Sequence, residues 1–131
     1  VAVKKDSSMT TTIYGLKNCD TCKKATKWLE RFEVAHAFID YRDNRQAPEV
    51  LKDWADHAGG WDALINKSST TWRQLPENRK SPGSEAEWKL LLKEYPQLIR
   101  RPVVVREEGG ETVFSQGFSD NSFKKLFGVG K

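Results

Sequence analysis

The chain has 131 residues, the size of one domain, and its 37% of hydrophobic residues is enough for a core, which excludes disorder as the default. A formal charge of +4, with 18 acidic residues interspersed, is only mildly basic. It does not demand nucleic acid, and it suits small anions such as the carboxylates of a thiol tripeptide. Two cysteines cannot staple a secreted disulfide scaffold, no apolar run is long enough for a membrane span, and no signal-peptide pattern is visible, so the cytoplasm is the simplest assignment.

Residues 1–8 are polar, precede Met9, and read as an extension or remnant outside the fold, leaving residues 9–131 as a single domain. Thr10 to Tyr14 is short and β-branched, as a first strand should be. Gly15-Leu16-Lys17-Asn18 is expected to turn into Cys19-Asp20-Thr21-Cys22, which holds both cysteines of the chain in a C-x-x-C pattern. A helix from about Thr21 to Phe32 follows, with Ala25, Trp28, Leu29 and Phe32 on one face.

That junction carries the chemistry. A thiolate, not a thiol, is the nucleophile, and a free cysteine is mostly protonated at neutral pH. A helix N-terminus offers unpaired N–H groups and the positive end of the helix dipole. Cys19 is expected there as the exposed, activated thiol, with Asp20 or Thr21 as the cap. Lys17, Lys23 and Lys24 add positive charge, and Asp20 opposes it. Cys22 shares a face with Ala25 and Leu29 and so points to the core. From there it either resolves a mixed disulfide on Cys19 or serves only as a small buried hydrophobe. A zinc site needs roughly four ligands, and the remaining candidates, His36 and His57, lack ligand spacing, so no metal is expected.

Ala37 to Tyr41 reads as a second strand, parallel to the first because a helix intervenes. After a polar loop, Pro48 opens a helix bearing Leu51, Trp54, Ala55 and Ala58, which Gly59-Gly60 stops. Trp61 to Ile65 is a short helical piece, Asn66 to Thr71 a polar loop, Trp72 to Leu75 ambiguous, and Pro76 to Pro82 a loop. Ser84-Glu85-Ala86-Glu87 matches a capping box for a helix with Trp88, Leu91, Leu92 and Tyr95 in its stripe, ended by Pro96. Val103-Val104-Val105 is the clearest strand, Gly109-Gly110 a hairpin turn, and Thr112 to Ser115 the returning strand. Ser119 or Asp120 caps a last helix carrying Phe123, Leu126 and Phe127. The order β-α-β, helical block, β-β-α implies a four-stranded mixed sheet flanked by helices, an α/β fold. On that plan a C-x-x-C after strand one reads as a thioredoxin-like redox motif. If the Arg101–Pro102 bond is cis, it would present a backbone edge beside Cys19; the alternative is an ordinary trans proline at a strand start.

Four segments carry a resemblance over about Met9 to Phe127: Tyr14-Gly15-Leu16-Lys17-Asn18-Cys19-Asp20-Thr21, Thr70-Thr71-Trp72-Arg73, Arg100-Arg101-Pro102 and Gln116-Gly117-Phe118-Ser119-Asp120. Together they resemble the ArsC/Spx family, and its YffB-type branch most. The resemblance implies a thioredoxin-like fold with a helical insertion between strands two and three. It also implies a redox or catalytic cysteine at Cys19 and a cis-proline at Pro102. Arsenate reductases of the family hold the oxyanion with a cysteine and three arginines, whose guanidinium groups pair with a tetrahedral anion. Here Arg101 matches one arginine, while Asn66 and Gly117 stand at the other two positions, and Ser68, beside Lys67, replaces the loop arginine of YffB and Spx proteins. The resemblance therefore implies a glutathione-dependent thiol-disulfide reductase with no tightly bound cofactor, glutathione being the co-substrate. Cys19, Cys22 and Arg101 would be catalytic. Lys17, Asn18, Lys67, Arg73 and Pro102 would bind substrate. The alternatives are an Spx-like redox-switch regulator that binds RNA polymerase, suggested by the second cysteine, and a glutaredoxin-dependent arsenate reductase. No direct nucleic-acid or membrane contact is expected.

Overall fold

The computed structural model describes residues 9–128. The polar segment that the sequence sets apart before Met9 lies outside the described residues. The described residues divide into two compact units, one formed by residues 9–40 with 101–128 and the other by Tyr41–Arg100.

The first unit carries the sheet. Strand β1 (Met9–Gly15) leads into helix α1 (Asp20–Arg31), and β2 (Ala37–Asp40) follows. Strands β3 (Val103–Glu108) and β4 (Glu111–Gln116) then form a hairpin. Gly109 and Gly110 turn it with φ of 59° and 89°, the pair of positive values that favours glycine in such a turn. The strand order is β2-β1-β3-β4. β2 runs parallel to β1, with Ile13 opposite Phe38, as a helical crossover requires. β3 runs antiparallel to β1, with Ile13 opposite Val104. The sheet is therefore mixed, in the thioredoxin-like arrangement, with the helical segment inserted between β2 and β3.

One face of this sheet is closed by α1 and the last helix, termed α6 below, which spans Asp120–Phe127. Ile13 and Val104 from the strands meet Ala25, Trp28 and Leu29 from α1 and Phe123 and Phe127 from α6. Trp28 lies edge-on to Phe123, with ring centroids 5.3 Å apart. Its indole N–H donates to Asp120 Oδ1 at 2.7 Å, tying α1 to the start of α6. Ser119 caps α6 in a reciprocal box with Ser122, the arrangement expected from a hydroxyl at a helix start.

The second unit is helical. It holds α2 (Pro48–Ala58), α3 (Trp61–Leu64), α4 (Thr70–Gln74) and α5 (Glu85–Glu94), with single 3₁₀ turns at Glu77–Arg79 and Pro96–Leu98. Trp54, Leu64, Leu91, Leu92, Leu98 and Ile99 are almost wholly buried. The Asn66 N–H donates to the Leu98 carbonyl and the Arg100 N–H to the Leu64 carbonyl, tying the end of α3 to the last residues of the unit.

Three local expectations change. Trp72 and its neighbours, ambiguous in sequence, form α4, because the Ser69 hydroxyl accepts the Trp72 N–H and starts a helical turn. The box at α5 is only half formed. Ser84 Oγ accepts the Glu87 N–H, but Glu87 Oε1 takes the Gly83 N–H rather than that of Ser84. Gly15 belongs to β1 rather than to a turn.

Candidate active site

The site is built where β1 ends. Gly15 closes the strand, and Leu16 to Cys19 makes a tight turn in which the Cys19 N–H donates to the Leu16 carbonyl at 3.1 Å. Lys17 and Asn18, both exposed, are the two central residues of that turn. It is anchored to β2 by the Lys17 N–H, which donates to Asp40 Oδ2 at 2.9 Å. A short polar turn between an apolar strand and an amphipathic helix thus fixes where the first cysteine stands.

Cys19 is itself the N-cap residue of α1, in extended conformation, and its carbonyl accepts the Lys23 N–H at 2.9 Å. The expectation that Asp20 or Thr21 caps the helix is therefore corrected: Asp20 is its first helical residue and lies in the first turn. An Asp or Thr one residue on cannot reach back to the N–H groups that an N-cap side chain serves. No hydrogen bond of ordinary cap geometry comes from the cysteine. Its sulfur nonetheless lies where the Cys22 N–H, an unpaired amide of the first turn, favours a thiolate.

The electrostatics of the pair diverge. Partial burial pushes the Cys19 thiol up. The Cys22 N–H, the Arg101 guanidinium hydrogen-bonded to the sulfur, the Cys22 thiol and the Arg101 charge together outweigh that and bring it below its ordinary value. Cys22 moves the other way. Burial, and the neighbouring Cys19 charge, push its thiol up to about 11, against a partial offset from the Leu16 N–H. Cys19 is partly exposed and Cys22 is 1% exposed, both as free thiols. One cysteine is therefore a partly exposed, acidified thiol and the other a protonated, buried thiol beside it.

Gly15 is what lets Cys22 sit there. A Cβ built on Gly15 would lie 2.5 Å from Cys22 Sγ and 3.3 Å from Phe38 Cε1, so any larger residue collides with the thiol. In sequence this glycine suggested only a turn, and nothing pointed to its partner. Asp40 is a second residue that sequence reasoning missed. Its position at the end of a strand running parallel to β1, with Gly15 opposite it, was the available signal.

Arg101 stands two residues before the first residue of β3, and its bond to Pro102 is cis. Pro102 is fully buried and its carbonyl accepts the Gly117 N–H at 2.9 Å. The sheet unit thus brings Cys19, Cys22, Arg101, Lys17 and Asn18 together, with Pro102 adjacent in chain to Arg101. Lys67 and Arg73 lie in the helical unit. There Lys67 pairs with Asp62 at 2.6 Å and stands over the Trp72 ring, while Arg73 is exposed. Asn66, aligned with an arginine of the arsenate pattern, accepts the Ser68 N–H at 2.9 Å and so stabilises its own turn. A cavity of about 300 Å³ lies beside Cys22, lined in part by Phe38, His36, Lys17, Lys23 and Glu30. Among the described residues no cluster of His, Cys, Asp and Glu could hold a metal ion, and no helix is long and apolar enough to cross a membrane.

A model of the ArsC family matches residues 14–126. An uncharacterised protein of Haemophilus influenzae is 39% identical over 88% of this chain and 97% of its own length. A solved structure named YFFB protein superposes with a TM-score of 0.74 at 37% identity, covering 88% of this chain and 97% of that one. A Bacillus subtilis protein named global transcriptional regulator Spx is 28% identical over 74% of each chain.

Proposed function

The chain belongs to the ArsC family, and from that footing we propose that it is a glutathione-dependent thiol-disulfide reductase with Cys19 as its nucleophile. The observation that carries this reading is the split between the two thiols: Cys19 held below its ordinary pKa beside Arg101, and Cys22 raised and buried one turn on.

The Cys19 thiolate attacks one sulfur of a disulfide. The substrate S–S bond breaks, the departing thiolate takes a proton from water, and a mixed disulfide remains on Cys19. Arg101 steadies the sulfur's charge before attack and meets a carboxylate of the bound thiol afterwards. Two routes release the product. Glutathione attacks the mixed disulfide, or Cys22 loses its proton and attacks Cys19 Sγ, forming a Cys19–Cys22 disulfide that two glutathione molecules reduce as they are oxidised to glutathione disulfide. With Cys22 near pKa 11, its thiolate fraction at neutral pH is about 10⁻⁴. Modifying Cys19 removes its charge, but burial, the larger cause, stays. Glutathione is therefore the faster route and Cys22 the slower. Lys17 and Lys23, which line the cavity beside Cys22, offer charge to the tripeptide's carboxylates.

The test is reduction of hydroxyethyl disulfide by glutathione, coupled to glutathione reductase. The Cys19→Ser variant should lose the activity, and Cys22→Ser should keep most of it. Activity that survives in Cys19→Ser removes the proposal.

A second reading has one specific observation in its favour. The C-x-x-C is complete, and a relative bears the name of a transcriptional regulator. On that reading the Cys19–Cys22 disulfide gates binding to RNA polymerase. Retention of the polymerase by the reduced or the oxidised protein alone, with no hydroxyethyl disulfide activity, selects it. Arsenate reduction is the weaker enzymatic alternative, because Asn66 and Gly117 bring no guanidinium to join Arg101.

A further inference from the structure

The helical unit contains a second cavity, of about 270 Å³, with no cysteine in its lining; three cations and no carboxylate line it. Its apolar wall comes from Leu51 and Trp54 of α2, Leu92 of α5, and Tyr41 and Ile99. These five side chains are almost wholly buried, and Leu90, 52% exposed, also lines the cavity. An exposed leucine beside a buried apolar wall is surface that a ligand can cover. The Tyr41 hydroxyl of this wall is already used, since it donates to the Ile99 carbonyl at 3.2 Å. The interior therefore asks for an apolar group.

The charges decide what the other end of the ligand should be. Arg45, Lys89 and Lys93 line the cavity. Arg45 Nη1 donates to the Lys93 carbonyl at 2.7 Å, which places the guanidinium by the last turn of α5. Lys89 is paired with Glu85 at 2.8 Å. The Lys93 ammonium makes no ion pair among the described residues, and Arg45 and Lys93 are both exposed. A cationic ligand would meet like charge. A neutral one would leave the excess uncompensated. An anion completes it.

We propose that this pocket binds a small amphiphilic monoanion, with an aryl or medium-chain alkyl tail on the Trp54–Leu92 wall and a carboxylate at Arg45 and Lys93. The volume equals that of about nine waters, enough for such a tail and at the small end of ligand pockets. Displacing those waters from an apolar wall supplies the affinity, and the cations supply the selectivity. This site is independent of Cys19 and of the reductase reading.

The test is an amide-and-indole NMR titration of the full chain with octanoate, 1-octanol and octylamine. Octanoate should give saturable shifts at Leu51, Leu92 and the Trp54 indole, with a dissociation constant about tenfold below that of octanol, and octylamine should bind most weakly. The double charge reversal Arg45→Glu with Lys93→Glu, at exposed positions, should leave the spectrum folded and erase the preference for octanoate. Equal binding of octanoate and octanol, shifts away from these residues, or a preference that survives the charge reversal each overturn the proposal. So does self-association that covers the pocket and is not reversed by octanoate.

Discussion

Gly15 and Cys22 are fitted to each other: a methyl on Gly15 would stand 2.5 Å from the Cys22 sulfur. Gly15→Ala should therefore destabilise the protein by about 1–3 kcal/mol through overpacking. Cys22→Ala removes the colliding atom. The double variant Gly15→Ala with Cys22→Ala should be more stable than the sum of its parts, with a coupling of about 0.5–3 kcal/mol in a denaturation cycle. Simple additivity would mean that the two residues do not meet.

Arg101 is hydrogen-bonded to the Cys19 sulfur and adds its charge there. Replacing it by alanine should move the pH midpoint of Cys19 alkylation upward, with a loss of rate at neutral pH. Arg101→Lys keeps the charge but not the fork of donors, so it should recover only part of that loss. An unmoved midpoint in Arg101→Ala would leave the helix start as the whole cause of activation.

Cys22 has a signature of its own in the pH dependence of stability. Its thiol is raised from an ordinary 9.0 to about 11 by burial. The folded state therefore favours the protonated form. That contribution is complete below pH 9.0 and is lost as the pH rises towards 11. Urea denaturation of the Cys22→Ala variant should show a smaller decline over this window than the wild type, while both behave alike at neutral pH.

Trp28 and Asp120 join α1 to α6 through one hydrogen bond, and Lys124 pairs with the same carboxylate at 3.0 Å. Asp120→Ala should destabilise the protein, mainly by stranding the part-buried indole N–H. The Lys124 and Trp28 hydrogen bonds hold the Asp120 carboxyl below its ordinary 3.8. Its contribution is therefore present above that value and disappears as the pH falls through the depressed one. Thermal melts in acid should converge for wild type and Asp120→Ala.

Much of this was legible in the residues because periodicity and chain punctuation are local. Ala25, Trp28 and Leu29 recur at helical spacing and are buried, Gly109-Gly110 turns the hairpin, and Ser119 caps α6. What escaped depends on pairs distant in sequence or on single hydrogen bonds. Nothing in Gly15 announces Cys22 as its neighbour, and the Asp40 carboxylate reaches the Lys17 N–H only because β2 lies beside β1. The cap lies one residue before Asp20 and two before Thr21, since a cysteine is an uncommon N-cap and both better capping types stand next to it. The α4 helix was missed because its first turn hangs on a single Ser69 hydroxyl. Arg101 was placed beside Cys19 by resemblance; no pattern in the intervening residues brings the two together.

The central claim is that one thiol of the pair is acidified and the other is not. An ultraviolet titration of thiolate absorbance, run on wild type and on the Cys19→Ser and Cys22→Ser variants, tests it most directly. The account predicts two transitions in the wild type: one below the ordinary 9.0 that vanishes in Cys19→Ser, and one near 11 that vanishes in Cys22→Ser. Two thiols titrating together at the ordinary value, or a low transition that survives in Cys19→Ser, would contradict it.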